Sequence, residues 1–379
     1  MTNLSLIKRT AGLLTQTANL EHLVTFPRFP VYMGCTDAPI DTDLFSEMTW
    51  DICPDTGMIQ LQKLLPLSVL YQFQHNEGIG TVWSAHYDQF CQFVARQSPT
   101  HVLEIGGAHG IIAKQYVAEN QSTKWTIVEP NPTFDGDDQI SVIPKWFDDQ
   151  FQFDGPVDTV VHSHVTEHTY DPAAFFRHIY SFLKVKDRHV FSIPNMKEQL
   201  VRRYTNCLNF EHTLFLTEEI IDSILRNTGF RIIEKRYFLD HSIFYATEKM
   251  EVPAPLPFLN SYQCNRYLFQ TFLDYHHQLI ADINAQLKTV TGPVYLFGAH
   301  IFSQYLMAFG LNTDGVVCVL DNGPQKQGKR LYGTPFTVAS PRLLAGIDGP
   351  TVILKAGIYN DEIKRDVLET INPSVTFIE

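Results

Sequence analysis

Two short stretches hold side chains and glycines whose spacing implies chemistry. In VLEIGGAHG, residues 102–110, a β-type run ends in an acid, Glu104, and passes through Gly106, Gly107 and Gly110 into IIAKQYVAEN. Glycines at a helix start let the backbone approach a ligand closely. The next β-rich run, KWTIVEP, ends in Glu129, where a carboxylate accepts both hydroxyls of a ribose. A nucleoside cofactor is implied. The second stretch is NFEHTLFL, with Asn209, Glu211 and His212, and a further histidine, His168, lies in HVTEHTYDP. Imidazole has the acidity to take a proton near neutral pH.

These residues need rigid elements to hold them. HVLEIGG, KWTIVEP, VDTVVHSHV and RHVFSIPN are β-rich runs separated by stretches able to form helices, which predicts a parallel sheet with helices on both faces. LTEEIIDSILRNTGF predicts a helix capped by Thr217 and ended by Gly229, and RIIEKRYF and SIFYATEK predict two closing strands. Upstream, clustered Pro, Gly and Asp over 25–66 predict a small irregular module, with PVYMG and MIQL as strands; two helices flank the glycines of NEGIGT. The prolines of EVPAPLPF mark a linker, followed by a helix from about Gln263 to Leu287 and a second, smaller α/β unit. The boundaries expected are 1–67, 68–250 and 251–379.

The chain has 379 residues, 44% apolar and 18% charged, enough apolar sequence for several cores and too little charge for disorder. Lys and Arg number 29 against 41 Asp and Glu, and the net charge of −12 argues against a nucleic-acid partner. No window reaches the roughly 18 continuous apolar residues of a membrane span, and the first residues lack a signal-type apolar run, so a cytoplasmic protein is expected. The six cysteines are sparse and are expected as free thiols.

Dinucleotide binding favours GxGxxG, whereas the order here is ExGGxxG. That order, with the second acid, resembles motif I of the class I S-adenosylmethionine-dependent methyltransferases. The resemblance implies a Rossmann-like α/β sheet, with Glu104, Gly106, Gly107 and Gly110 around the amino-acid part of the cofactor and Glu129 on its ribose. His109 has no fixed role there and is expected as a turn residue facing solvent; Trp146 and Phe147 are either adenine contacts or core.

The order of pieces narrows this further. CPDTGMIQL, the sheet, NFEHTLFL and a C-terminal unit with LFGAH and LDNGPQKQGKRLYGTP resemble the sugar C-methyltransferases that act on nucleotide-linked keto-deoxysugars. The resemblance implies His212 as base beside Glu211, and His168 near the oxygen of an enolate. It also implies a C-terminal α/β Rossmann-like domain that helps to hold the nucleotide sugar, with Asp321, Lys326 and Asn209 as substrate contacts. The chain departs from the pattern in having Asn209 where a tyrosine is common, and Tyr71 and His75 compete for a second tyrosine position. The family's four-cysteine zinc module is degenerate: Cys35 and Cys53 remain, no CxxC occurs, and no zinc is expected. Transfer to oxygen, or a non-catalytic protein binding cofactor or nucleotide sugar, stays open. A monomer or homodimer is expected.

Overall fold

The computed structural model describes residues 6–71, 81–251 and 256–379. The glycines of NEGIGT, His75 and the middle of the proline-rich linker lie outside them. The chain divides into two compact units. The first comprises Met1–His22, Asp51–Arg202 and Asn209–Arg266; the second comprises Leu23–Trp50, Arg203–Leu208 and Tyr267–Glu379. The residues expected as one N-terminal module are therefore shared between the two units.

The first unit is built on seven strands: β1 His101–Ile105, β2 Lys124–Val128, β3 Ile140–Ile143, β4 Thr159–Ser163, β5 Arg188–Pro194, β6 Phe230–Phe238 and β7 Ser242–Lys249. Their order is β3-β2-β1-β4-β5-β7-β6, and β7 runs antiparallel to both its neighbours while the others pair in parallel. This is the class I methyltransferase Rossmann-like fold that the sequence predicts. Val160, Val161, Val190 and Phe191 are buried, as strands covered on both faces require. The chain leaves β1 toward β2 on one side and returns to β4 on the other. That reversal opens a crevice at the carboxyl ends of the strands, the usual ligand position in such sheets.

Four helices cover this sheet: α1 Thr81–Ala95, α2 Ile111–Glu119, α3 Pro172–Phe182 and α4 Glu218–Asn227. Phe90, Phe93 and Val94 of α1 pack with Ile112, Ala113 and Tyr116 of α2 over Trp125 and Phe244. Asp171 caps α3, its carboxylate accepting the Ala174 N–H at 2.8 Å with Pro172 at the first helical position. His168 therefore has no capping duty there. The α4 boundary falls as expected, with Gly229 left-handed just past the end, but the Thr217 hydroxyl makes no capping bond. Ile59–Leu61, from the MIQL stretch, pairs antiparallel with Leu214–Phe215 and so anchors the residues just after His212.

The second unit holds β8 Val294–Phe297, β9 Val316–Leu320, β10 Val338–Ala339, β11 Thr351–Leu354 and β12 Thr376–Ile378. They form an all-parallel sheet in the order β10-β9-β8-β11-β12, the Rossmann-like arrangement expected of the C-terminal part. The long helix α5, Tyr262–Leu287, precedes it, and α6, Ile301–Ala308, follows β8. PVYMG is not a strand: the N-terminal strand ends at Pro30, and the short strand Cys35–Thr36 pairs instead with Arg330–Leu331. Among the described residues no helix is long and apolar enough to cross a membrane.

Arg330 forms a fork on Asp43, Nη1 to Oδ2 at 2.6 Å and Nη2 to Oδ1 at 2.8 Å, and the Asp43 side chain is fully shielded from solvent. Removing one partner of such a pair strands a buried charge. Arg330→Met is expected to cost about 3 kcal/mol or more in the second unit. Hydrogen exchange at 35–44 and 330–334 under mild urea reads this as faster opening, and pairing the change with Asp43→Asn should recover part of the loss. Unchanged exchange in Arg330→Met would show the ion pair to be dispensable.

Candidate active site

The glycine loop leaves β1 in a conformation that side chains resist. Gly106 has φ +76° and a Cβ there would stand 2.6 Å from Val165 Cγ2; Gly110 has φ +64° and a Cβ would meet Phe134 at 2.9 Å. Gly110 opens α2. Gly107 lies directly on Glu104, since a Cβ would sit 2.7 Å from that carboxyl carbon. Glu104 is therefore beneath the loop, 2% exposed, with Oε2 accepting the Trp125 indole N–H at 2.7 Å. Burial pushes its pKa up to about 7; the indole bond opposes this and the nearby Glu129 charge adds to it.

Glu129 follows β2. Its Oε1 accepts the Asn131 N–H at 2.9 Å, and burial raises its pKa against the pull of the Asn131 and Ala108 backbone N–H groups. Asn131 Nδ2 donates to the Tyr71 carbonyl at 3.2 Å, which ties this edge of the loop to the next group of residues. His109 stays in the turn with Nδ1 2.6 Å from Thr133 Oγ1. Of the two aromatics after β3, Phe147 packs among Phe151, Phe175 and Phe182, whereas Trp146 is 40% exposed and meets Tyr71 edge-on at 5.8 Å.

Beyond the end of β4 the chain makes a short 3₁₀ turn, Thr166–His168, and the two sequence-predicted histidines come together. The His168 and His212 rings stand edge to face, 4.9 Å between centroids. His168 Nδ1 lies 2.9 Å from the Tyr71 hydroxyl and 3.9 Å from Glu211 Oε2, and its Nε2 lies 4.0 Å from Glu167 Oε1. Of the two residues offered for the second tyrosine position, Tyr71 lies within the described residues and His75 outside them. Burial and the Glu211 charge push the Tyr71 phenol well above the ordinary value, so it stays protonated as a donor. Glu167 is nearly inaccessible; burial raises its pKa and the facing His168 and His212 rings oppose that rise. Asn209, expected to touch substrate, is buried and works on the backbone: its Oδ1 accepts the N–H groups of Glu211 at 2.8 Å and His212 at 2.7 Å. It positions the Glu-His pair. The group offers a base, a phenol donor and carboxylates able to orient imidazoles.

Arg9 is the residue that sequence reasoning missed. Its guanidinium is buried, and Nη1 donates to the carbonyls of Thr213 at 2.7 Å and Leu61 at 3.3 Å. Nη2 donates to the Tyr170 carbonyl at 2.6 Å and to Thr213 Oγ1 at 3.2 Å. The segments bearing His168 and His212 are thereby fastened to one planar group. Burial lowers its pKa to about 10, which still leaves it charged. Nothing local marks this arginine, because its partners are far away in sequence.

The second unit uses its predicted residues internally. Asp321 accepts Ala299 N–H and Gly323 N–H, each at 2.8 Å, and Lys326 Nζ at 3.2 Å. Lys329 pairs with Asp37 and Arg330 with Asp43. These bonds close the loops after β8 and β9 around Asp321. Cys53 is buried near Thr15 and Cys35 donates toward the Ala299 carbonyl; among the described residues neither joins a cluster of three ligand-type side chains.

Comparison with known proteins agrees with the sheet. Residues 82–235 match the family model described as a methyltransferase domain, a span running from α1 into β6. No protein of curated function matches the sequence. Similar solved structures include human N-acetylserotonin methyltransferase in complex with S-adenosylmethionine, 17% identical, TM-score 0.38, covering 45% of this chain and 53% of that one. The N-methyltransferase NodS from Bradyrhizobium japonicum is 15% identical, TM-score 0.36, with 45% and 97% covered. A further structure, described as a putative S-adenosylmethionine-dependent methyltransferase from Listeria monocytogenes, is 14% identical, TM-score 0.37, with 44% and 99% covered. This chain thus spans about half the length of the human enzyme.

Proposed function

We propose that the protein is an S-adenosylmethionine-dependent methyltransferase acting on a nucleotide-activated keto-sugar, with methyl transfer to carbon and His212 as base. The observation that carries this reading is the juxtaposition of His212, His168 and Tyr71 at the carboxyl end of the sheet, linked through Asn131 to Glu129. The cofactor fits the loop on two grounds: Gly106 and Gly107 stand so close to Val165 and Glu104 that no Cβ has room, which keeps the loop backbone bare, and Glu129 follows β2 beside it. Gly106, Gly107 and Gly110 let backbone approach the amino-acid end, Glu129 takes the ribose, and Glu104 supports the loop from below. S-adenosylmethionine supplies an electrophilic methyl group on a sulfonium.

The chain's own task is then to make a carbon nucleophilic. A C–H next to a ketone is acidic enough for an imidazole base when the developing oxyanion meets a donor. His212 removes that proton. The protonated phenol of Tyr71 and the imidazole of His168, in contact with each other, supply donors to the oxygen. Glu211 and Glu167, 3.9 and 4.0 Å from the nitrogens of His168, place negative charge on both sides of that ring.

Two outcomes follow. Glu104 has a folded pKa raised to about 7 from the ordinary 4.5, so the folded state holds a proton that the unfolded state releases. Its contribution to stability is complete below about pH 4.5 and is lost as pH rises to about 7. Ligand-free Glu104→Gln should lack that decline, its melting temperature gaining on wild type across this window and levelling above it; parallel curves would place the carboxyl in water.

The reaction itself is tested with methyl-deuterated cofactor and a panel of nucleotide-linked keto-deoxysugars, with product mass and NMR locating the label. Label on a ring carbon is expected, and His212→Ala should lower turnover by about 10²- to 10⁴-fold while leaving S-adenosylhomocysteine affinity nearly unchanged. Label on oxygen would favour a hydroxyl-directed enzyme, and no transfer to any sugar would refute the substrate class.

A further inference from the structure

A second group of imidazoles converges in the first unit. His86 from α1, His164 just beyond β4 and His241 in the turn between β6 and β7 each offer one ring nitrogen, all within 4.8 Å of one another. Three elements distant in sequence supply them, so no ligand spacing announces the group.

His86 is the telling member. It is completely buried, and neither of its nitrogens has a hydrogen-bond partner. A neutral imidazole carries an N–H donor and a lone pair, and buried polar atoms are almost always paired. Phe90, Phe238 and Phe244 pack on the ring, Trp83 and Tyr87 meet its edges, and His164 and His241 stand at 5.2 and 5.5 Å between centroids. Ser242 Oγ lies 2.8 Å from His164 Nε2 and 2.6 Å from His241 Nδ1, so that hydroxyl serves two of the rings and leaves the third unserved.

His164 also has the backing of a metal-ligating histidine. Glu167 Oε1 lies 3.2 Å from its Nδ1 without a hydrogen bond, close enough for a small turn of the ring to make that carboxylate the outer partner of a ligand histidine while Nε2 faces the group. Its backbone is left-handed at φ +54°, a conformation that aims the side chain away from the sheet register. We propose that His86, His164 and His241 bind a zinc ion, with the Ser242 hydroxyl or a water completing four-fold coordination and Glu167 orienting His164.

Three neutral nitrogens suit zinc, and small ring rotations bring the nitrogens to the spacing set by metal bonds of about 2.0–2.1 Å. The ion would pin α1 and the β6–β7 turn to the exit of β4. Through Glu167 it would brace the turn that carries His168. The donor set is separate from Cys35 and Cys53, so the absence of zinc expected from those cysteines does not extend to it.

The full-length protein, stripped by chelator dialysis, is titrated with zinc chloride by calorimetry, and cobalt is used as a spectroscopic substitute. About one ion per chain is expected, with visible d–d bands and no thiolate charge-transfer band. His241→Gln, in the turn between β6 and β7, should weaken zinc binding by about 100-fold, and Glu167→Gln by about 10- to 100-fold. His212→Ala and the Cys35→Ser, Cys53→Ser pair should bind as wild type does. Absence of stoichiometric zinc and of cobalt bands, or binding that survives His241→Gln, or binding lost with the cysteines or with His212, would overturn the assignment. None of these readouts depends on methyl transfer.

Discussion

The candidate site depends on one buried guanidinium. The segments that bear His168 and His212 are separated in sequence by α3 and β5, and neither is a regular strand or a long helix. Arg9 gives each a fixed carbonyl anchor, at Tyr170 and Thr213, and adds Leu61 from the strand that pairs with Leu214–Phe215. The Thr213 N–H then reaches the Glu167 carbonyl at 3.2 Å, and its hydroxyl donates to Thr169 at 2.8 Å. A charge held out of water is stable only when every donor is used. That requirement makes the arrangement nearly all-or-none: the guanidinium is satisfied only when both segments are in place.

The sheet supplies the other half of the geometry. The β1 and β2 ends put Glu104 under the glycine loop and Glu129 at its side, while the β4 end releases the turn with His168. Asn131 and Tyr71 join these ends by hydrogen bonds. Glu167 is shared, lying 3.2 Å from His164 on one side and 4.0 Å from His168 on the other. One buried carboxylate thus faces the proposed metal group and the proposed base group, so the electrostatics of the two are coupled.

Much of this was legible in the sequence where the signal was local. Apolar runs ending in acids gave strands β1 and β2 with Glu104 and Glu129, and the Glu211-His212 pair and His168 were marked by type and then found in contact. Where a role depends on distant partners, sequence could not supply it. Asn209 was read as a substrate contact but bonds the backbone of its own turn, because a polar residue beside a site looks the same in either role. Asp321 and Lys326 are expected from sequence as contacts of a nucleotide sugar, and the fold adds that they pair with each other and that Asp321 bonds loop backbone. Arg9 and His86 escaped notice altogether, since each draws its meaning from residues that only the fold brings near.

The most direct test of the account asks whether Arg9 holds the two histidine segments in one frame. Hydrogen exchange is compared between wild type and Arg9→Lys, which keeps a charge but loses the fork of donors. Exchange should quicken together at Thr213 and across residues 167–170, while the glycine loop at 104–110 and its affinity for S-adenosylhomocysteine stay as they were. Unchanged exchange at both segments, or loosening of one without the other, would contradict the account.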